Sequence, residues 1–185
     1  MTADCSWNYY ETMVNECQSH VVHFPINKTE NQYTYSVNAI LEHYEQYHPK
    51  ILILATPKNP TGNQLSVDEI QKIATHCRDA IIILDEAYWG FSGTDNNYVK
   101  TILNENDKVI FIRSFSKFFG LPGIRMGYSI GGEYFTKAKC FLKRYLGQNQ
   151  LSLDLCKEAL KNIDYYIETA QNFNHEKQFF YDTFK

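Results

Sequence analysis

Short runs of branched apolar residues punctuate this chain, and amphipathic stretches separate them. The clearest runs are Ile51–Ala55, Ile81–Leu84 and Val109–Ile112, with shorter ones at Val21–Phe24 and Met126–Ile130. Runs this brief and this apolar fit strands inside a parallel sheet, and helices between them supply the crossovers that parallel pairing needs. The pattern predicts an α/β fold built on one doubly wound, mostly parallel sheet. Val37, Ile40, Leu41 and Tyr44 recur at helical spacing between Ser36 and Tyr47. His48-Pro49 ends that helix, because proline has no N–H to continue it. Ser66 and Glu69 form a capping box that opens a helix running to about Arg78. Residues 151–184 are expected as one long amphipathic helix, with Leu151, Leu155, Ala159 and Ile163 on one face. The break near Gly147 is the candidate boundary, dividing residues 1–147 from 148–185.

Composition narrows the class of function. The chain has 185 residues, 44% of them hydrophobic and 21% charged, which suits one globular domain with a real core. Its apolar runs fall far short of the roughly 20 residues that a membrane-spanning helix needs. A net charge of −3 gives no footprint for nucleic acid. Met1–Cys5 lacks the basic start of a signal peptide. The five cysteines (Cys5, Cys17, Cys77, Cys140, Cys156) form no Cys-x-x-Cys pair. They suit a reducing cytoplasm, with neither a disulfide framework nor a zinc site, so no metal is expected.

Ligands of an open α/β sheet bind beyond the carboxyl ends of its strands. Three polar clusters fall there: Asn59-Pro-Thr-Gly62, Asp85-Glu-Ala-Tyr88 and Ser114-Phe-Ser-Lys117, the last followed by Gly120-Leu-Pro-Gly-Ile-Arg125. Each residue has a plainer reading. Asn59 suits a turn before Pro60, Asp85 a helix N-cap after a strand, Tyr88 the core, and Lys117 an exposed loop. Three consecutive strands ending this way nevertheless form a constellation.

That constellation resembles the fold type I pyridoxal-phosphate enzymes, specifically the class I/II aminotransferases, over roughly residues 4–150. Residues 113–128, Arg113 to Tyr128, are most similar to the histidinol-phosphate aminotransferase branch, and threonine-phosphate decarboxylases share much of the stretch. The resemblance implies the central part of the large domain of such an enzyme in residues 1–147, with 148–185 as the helix leading toward a small domain. It also implies a role for each matched residue. Lys117 would form the Schiff base with the cofactor aldehyde and then move the substrate's α-proton. Asp85 would pair with the pyridine nitrogen and keep it protonated. Tyr88 and Asn59 would hydrogen-bond the ring's phenolic oxygen. Ser114 and Arg125, joined by Ser116, would hold the phosphate. Trp7, in the looser match Cys5-Ser6-Trp7, falls where the family stacks an aromatic on the pyridine ring, with a buried tryptophan at a helix start as the alternative reading, close behind it. Arg113 is assigned no role, a surface ion pair accounting for it, and Glu86 reads as structural.

The implied reaction is reversible transfer of an amino group between an amino acid or amino-alcohol phosphate and a 2-oxo acid, in amino-acid biosynthesis. The implied assembly is a cytoplasmic homodimer. Members of the family are longer at both ends. The resemblance places the phosphate-binding glycine turn, a tyrosine reaching the neighbouring subunit, and the arginine for the substrate carboxylate in segments beyond this chain. None of its four arginines (Arg78, Arg113, Arg125, Arg144) matches that last motif. Such a chain is expected to leave a sheet edge and an apolar face uncovered and therefore to self-associate. Sedimentation should show species heavier than a monomer, and a clean monomer would contradict this. Three other functions remain open. Ser114 to Lys117 is also a Ser-x-x-Lys motif, but the Lys-Thr-Gly that an acyltransferase of that kind needs is absent. Decarboxylation on the same cofactor is the second, and a catalytically incomplete fragment acting as a binding module is the third.

Overall fold

A computed structural model describes residues 1–30, 32–136 and 147–184; Cys140 and Arg144 lie outside the described residues. Its centre is a six-stranded sheet. In chain order the strands are β1 (Thr2–Ala3), β2 (His23–Phe24), β5 (Ile51–Ala55), β6 (Ile81–Asp85), β7 (Val109–Ser114) and β8 (Gly127–Gly131). Their spatial order is β2-β1-β5-β6-β7-β8, all parallel except the antiparallel pair β7–β8. A separate hairpin joins β3 (Ile26–Lys28) to β4 (Tyr33–Tyr35). The helices are α1 (Tyr9–Glu16), α2 (Val37–Tyr47), α3 (Val67–His76), α4 (Asn97–Glu105), α5 (Gln150–Lys161) and α6 (Ile163–Thr183).

Period-two alternation decides which strand residues enter the core. Leu52, Leu54, Ile82, Leu84, Val109 and Phe111 point to one face and are fully buried against Ile40 of α2, Ile73 of α3 and Ile102 of α4. The alternate residues are less covered, and Ile51 and Ile112 at the two ends of that face are 43% and 40% exposed. Among the described residues, this apolar sheet face is therefore partly exposed.

The expected helix starts hold where a side chain enforces them. Ser36 Oγ accepts from Ala39 N–H at 3.2 Å, and Ser66 and Glu69 complete the reciprocal capping box. At the other end of α2, His48 takes the left-handed conformation just before Pro49. Helix α3 stops at His76, two residues short of Arg78.

The single helix expected over 151–184 is instead two. Asn162 Nδ2 donates to the Glu158 carbonyl at 2.8 Å, and its own backbone N–H reaches the same oxygen at 3.1 Å. A side chain competing for helix carbonyls is how asparagine interrupts a helix. The buried face matches the expected one only in part: Ala159 and Ile163 pack inward, whereas Leu151 and Leu155 are exposed. Cys156, Ala159 and Ala170 are buried, while Leu151 is 68% exposed. Small residues let α5 and α6 sit close against an aromatic cluster of Trp89, Phe115, Phe118 and Phe119. The strand expected at Val21–Phe24 is shortened to His23–Phe24.

Candidate active site

Three strand ends and one helix start converge on a cleft of about 220 Å³. Its walls carry Trp7, Tyr10, Asn59, Asp85, Tyr88 and Lys117. Five of these are residues that the sequence analysis selected. The helix start brings Trp7 and Tyr10 together: Tyr10 N–H donates to the Trp7 carbonyl at 3.0 Å, and the two rings meet edge to face at 5.7 Å. Trp7 is exposed, not the buried helix-start tryptophan of the alternative reading. The loop before it is tied down by Lys58, a buried lysine whose Nζ donates to the Asp4 carbonyl. Burial lowers the basicity of that amine.

Asp85 ends β6 and no helix follows it; α4 begins only at Asn97. The N-cap reading therefore fails, and the carboxylate is free to face the cleft. Its Oδ1 accepts from Ala87 N–H at 3.0 Å, closing a local turn, and its Oδ2 accepts from the Tyr10 hydroxyl.

Lys117 stands on a loop pinned by aromatic neighbours. Phe115, Phe118 and Phe119 on either side of it are buried, so the lysine between them is held at the surface of the cleft. Its Nζ lies 5.5 Å from the centre of the Tyr88 ring. Gly90 allows this packing: its φ is +100°, and a Cβ there would meet the Phe118 ring at 2.4 Å. Lys117 also borders a second, more open groove of about 600 Å³ between its loop and α6, lined by Phe91, Phe118, Tyr166 and Phe173.

Ser114 closes β7 and Ser116 and Arg125 follow it, but none of the three lines the cleft. Ser114 Oγ accepts from Ser116 N–H at 3.0 Å, and the exposed Arg125 guanidinium donates to the Pro122 carbonyl at 3.3 Å.

Arg113 is not on the surface, and this corrects the expected surface pair. Its Nε donates to Glu86 Oε2 at 2.7 Å, with the two side chains 2% and 4% exposed. Asn96 Oδ1 and the Tyr98 hydroxyl accept from its other nitrogens at 2.6 and 3.1 Å, and Trp89 lies under the guanidinium at 4.3 Å. Burial pushes the Glu86 carboxyl up, while hydrogen bonding from Tyr98 and the charge of Arg113 pull it back. This network fixes the Asp85–Gly90 turn from below.

Burial also suppresses other acids, among them Tyr10, Tyr35 and Cys77. It is the main cause that raises the Tyr10 and Tyr35 phenols well above their ordinary 10.0, with the Asp85 charge second. Cys77, wholly buried, is pushed up from 9.0 to about 12. The folded state thus holds these protons more tightly than the unfolded chain. Stability is then complete below about pH 9 and falls as pH rises, by up to about 1.4 kcal/mol per pH unit for each group ionised only in the unfolded chain. Urea melts at about pH 8 and about pH 10.5 should show the loss, and equal midpoints would contradict it.

The described residues contain no helix long and apolar enough to cross a membrane, and no group of three or more His, Cys, Asp or Glu placed to hold a metal ion. The family model "Aminotransferase class I and II" matches residues 1–185. Histidinol-phosphate aminotransferase of Ruminiclostridium cellulolyticum is 32% identical over 173 residues, covering 90% of this chain and 47% of that protein. The chain thus spans about half the length of this curated relative. Among solved structures, histidinol-phosphate aminotransferase of Sinorhizobium meliloti, in complex with pyridoxal-5′-phosphate, superposes with a TM-score of 0.81 at 23% identity, over 96% of this chain and 47% of that one. L-threonine-O-3-phosphate decarboxylase of Porphyromonas gingivalis gives 0.69 at 21% identity, over 92% of this chain and 50% of that one.

Proposed function

Because the chain belongs to the class I and II aminotransferase family, we propose that its cleft takes pyridoxal 5′-phosphate and serves transfer of an amino group to a 2-oxo acid. The observation that supports this is the convergence of an amine, a carboxylate, a phenol, a carboxamide and an indole face on one small cleft at the strand ends. That donor set fits the cofactor's functional groups. Bound there, the cofactor supplies an electron sink for the charge left when a substrate loses its α-proton.

The chain's own residues do the rest. Lys117 would be the amine that holds the cofactor through its aldehyde, and its Nζ would be the base that carries the α-proton. Asp85 holds the proton on the ring nitrogen, because an anion facing that atom favours its charged form. Tyr88 and Asn59 donate to the ring's phenolic oxygen. The Trp7 indole, on the wall of the cleft, would stack on the ring's face. Ser114, Ser116 and Arg125 are assigned to the phosphate, for which a guanidinium and hydroxyls at a strand end are suited donors. Residues 1–147 form the cofactor-binding core in this reading, with 148–185 leading out of it. The working assembly is a cytoplasmic homodimer, and the amino donor is histidinol-phosphate-like.

The test supplies the chain with pyridoxal phosphate, histidinol phosphate and 2-oxoglutarate and follows glutamate. Lys117-dependent glutamate formation is expected. Release of carbon dioxide from threonine phosphate in its place would establish the decarboxylase reading. Cofactor binding with neither product would leave a binding module.

A further inference from the structure

The roles proposed above leave Tyr10 unused. It is nonetheless the buried residue of α1, and its hydroxyl reaches across 75 positions of sequence to Asp85. Asp85 is held by two donors, one on each oxygen: Ala87 N–H on Oδ1 at 3.0 Å and Tyr10 O–H on Oδ2. The Ala87 bond belongs to the local turn and by itself leaves the other oxygen free to swing. The second donor, coming from a different element, stops rotation of the carboxylate about its own axis. Tyr10 is suited to this, since burial and the neighbouring Asp85 charge keep its phenol protonated far beyond the ordinary range. It is also the neighbour of Trp7, which stands just before α1, so the entry into this helix brings both the indole and the tyrosine to the cleft.

We propose that Tyr10 is a positioning residue whose hydroxyl sets the orientation of the Asp85 carboxylate toward the cofactor's ring nitrogen. This rests on the reading of the cleft as a pyridoxal-phosphate site. A carboxylate held in one plane pairs with that nitrogen at no further ordering cost, which is the general benefit of preorganisation.

Tyr10→Phe keeps the ring and deletes the donor. The probe is pyridoxal phosphate, and the readouts are its affinity and the pH midpoint of the bound cofactor's visible band. Wild type, Tyr10→Phe, Asp85→Asn and the double variant are compared. Tyr10→Phe should weaken cofactor binding about tenfold. It should also move the midpoint in the same direction as Asp85→Asn, but less far. In the Asp85→Asn background it should add nothing, because its effect passes through that carboxylate. Full additivity, or an unmoved midpoint, would overturn the proposal and leave Tyr10 a packing residue. Should Tyr10→Phe fold poorly, a ring-fluorinated tyrosine at position 10 preserves the packing and strengthens the donor. It should shift the midpoint the opposite way, and no shift would equally overturn the proposal. A wild-type chain with no cofactor band would defeat the reading of the cleft itself, and this inference with it. A normal wild-type band with unchanged Tyr10→Phe values defeats the inference alone.

Discussion

Arg113→Met is expected to lower the unfolding free energy by about 3–5 kcal/mol, the range for removing one partner of a buried ion pair. The cause is Glu86, not the lost attraction. Its carboxylate is 4% exposed and would keep only the Tyr98 hydroxyl as a donor, at 2.5 Å. Burial already pushes the Glu86 carboxyl above its ordinary 4.5, and without the guanidinium it rises further. A raised carboxyl stabilises the fold below its unfolded value and loses that contribution as pH climbs through the folded one. The variant should therefore be hurt more at neutral pH than at about pH 5. Glu86→Leu together with Arg113→Met should recover most of the loss, since neither charge is then stranded. Denaturant melts of the three proteins decide this. A single variant within about 1 kcal/mol of wild type would show the pair to be solvated in solution.

Asp85→Asn should leave the fold intact and reduce amino transfer roughly 100- to 1,000-fold, the scale seen when one preorganised electrostatic contact is deleted. Asparagine has one acceptor oxygen where Asp85 has two, both in use. Either Tyr10 or Ala87 then faces an NH2 group that cannot accept. More importantly, the neutral amide holds a proton on the ring nitrogen far less tightly than an anion does. The loss should appear chiefly in kcat, because the residue acts on charge that develops during reaction. A tenfold or smaller change would mean that Asp85 does not face that nitrogen.

The sheet was legible because its central strands are written as short unbroken apolar runs, while helical spacing marked α2 and a capping box marked α3. The cluster at each strand end was legible for a related reason: polar residues directly after an apolar run have few places to go but the ligand-binding rim. What was not legible depends on distant partners. β1 is only Thr2–Ala3, with no apolar signature; it is a strand because Thr2 pairs with both His23 and Ile53. The break at Asn162 arises from one side chain reaching a carbonyl four residues back. Arg113 reads as a surface residue until Glu86, Asn96 and Tyr98 are seen to enclose it. Tyr10 did carry a signal, its spacing of three from Trp7, which places both on one side of a helix start. In a chain with 14 tyrosines that spacing alone does not distinguish it.

The central claim is that Lys117 is the amine that takes the cofactor, and covalent trapping addresses it directly. Wild type and Lys117→Ala are mixed with pyridoxal phosphate, reduced with borohydride, digested and mapped by mass. The account predicts a pyridoxyl label on the Lys117 peptide of the wild-type chain and none at any defined position of the variant. A label spread over surface lysines, or one equally strong without Lys117, would contradict it.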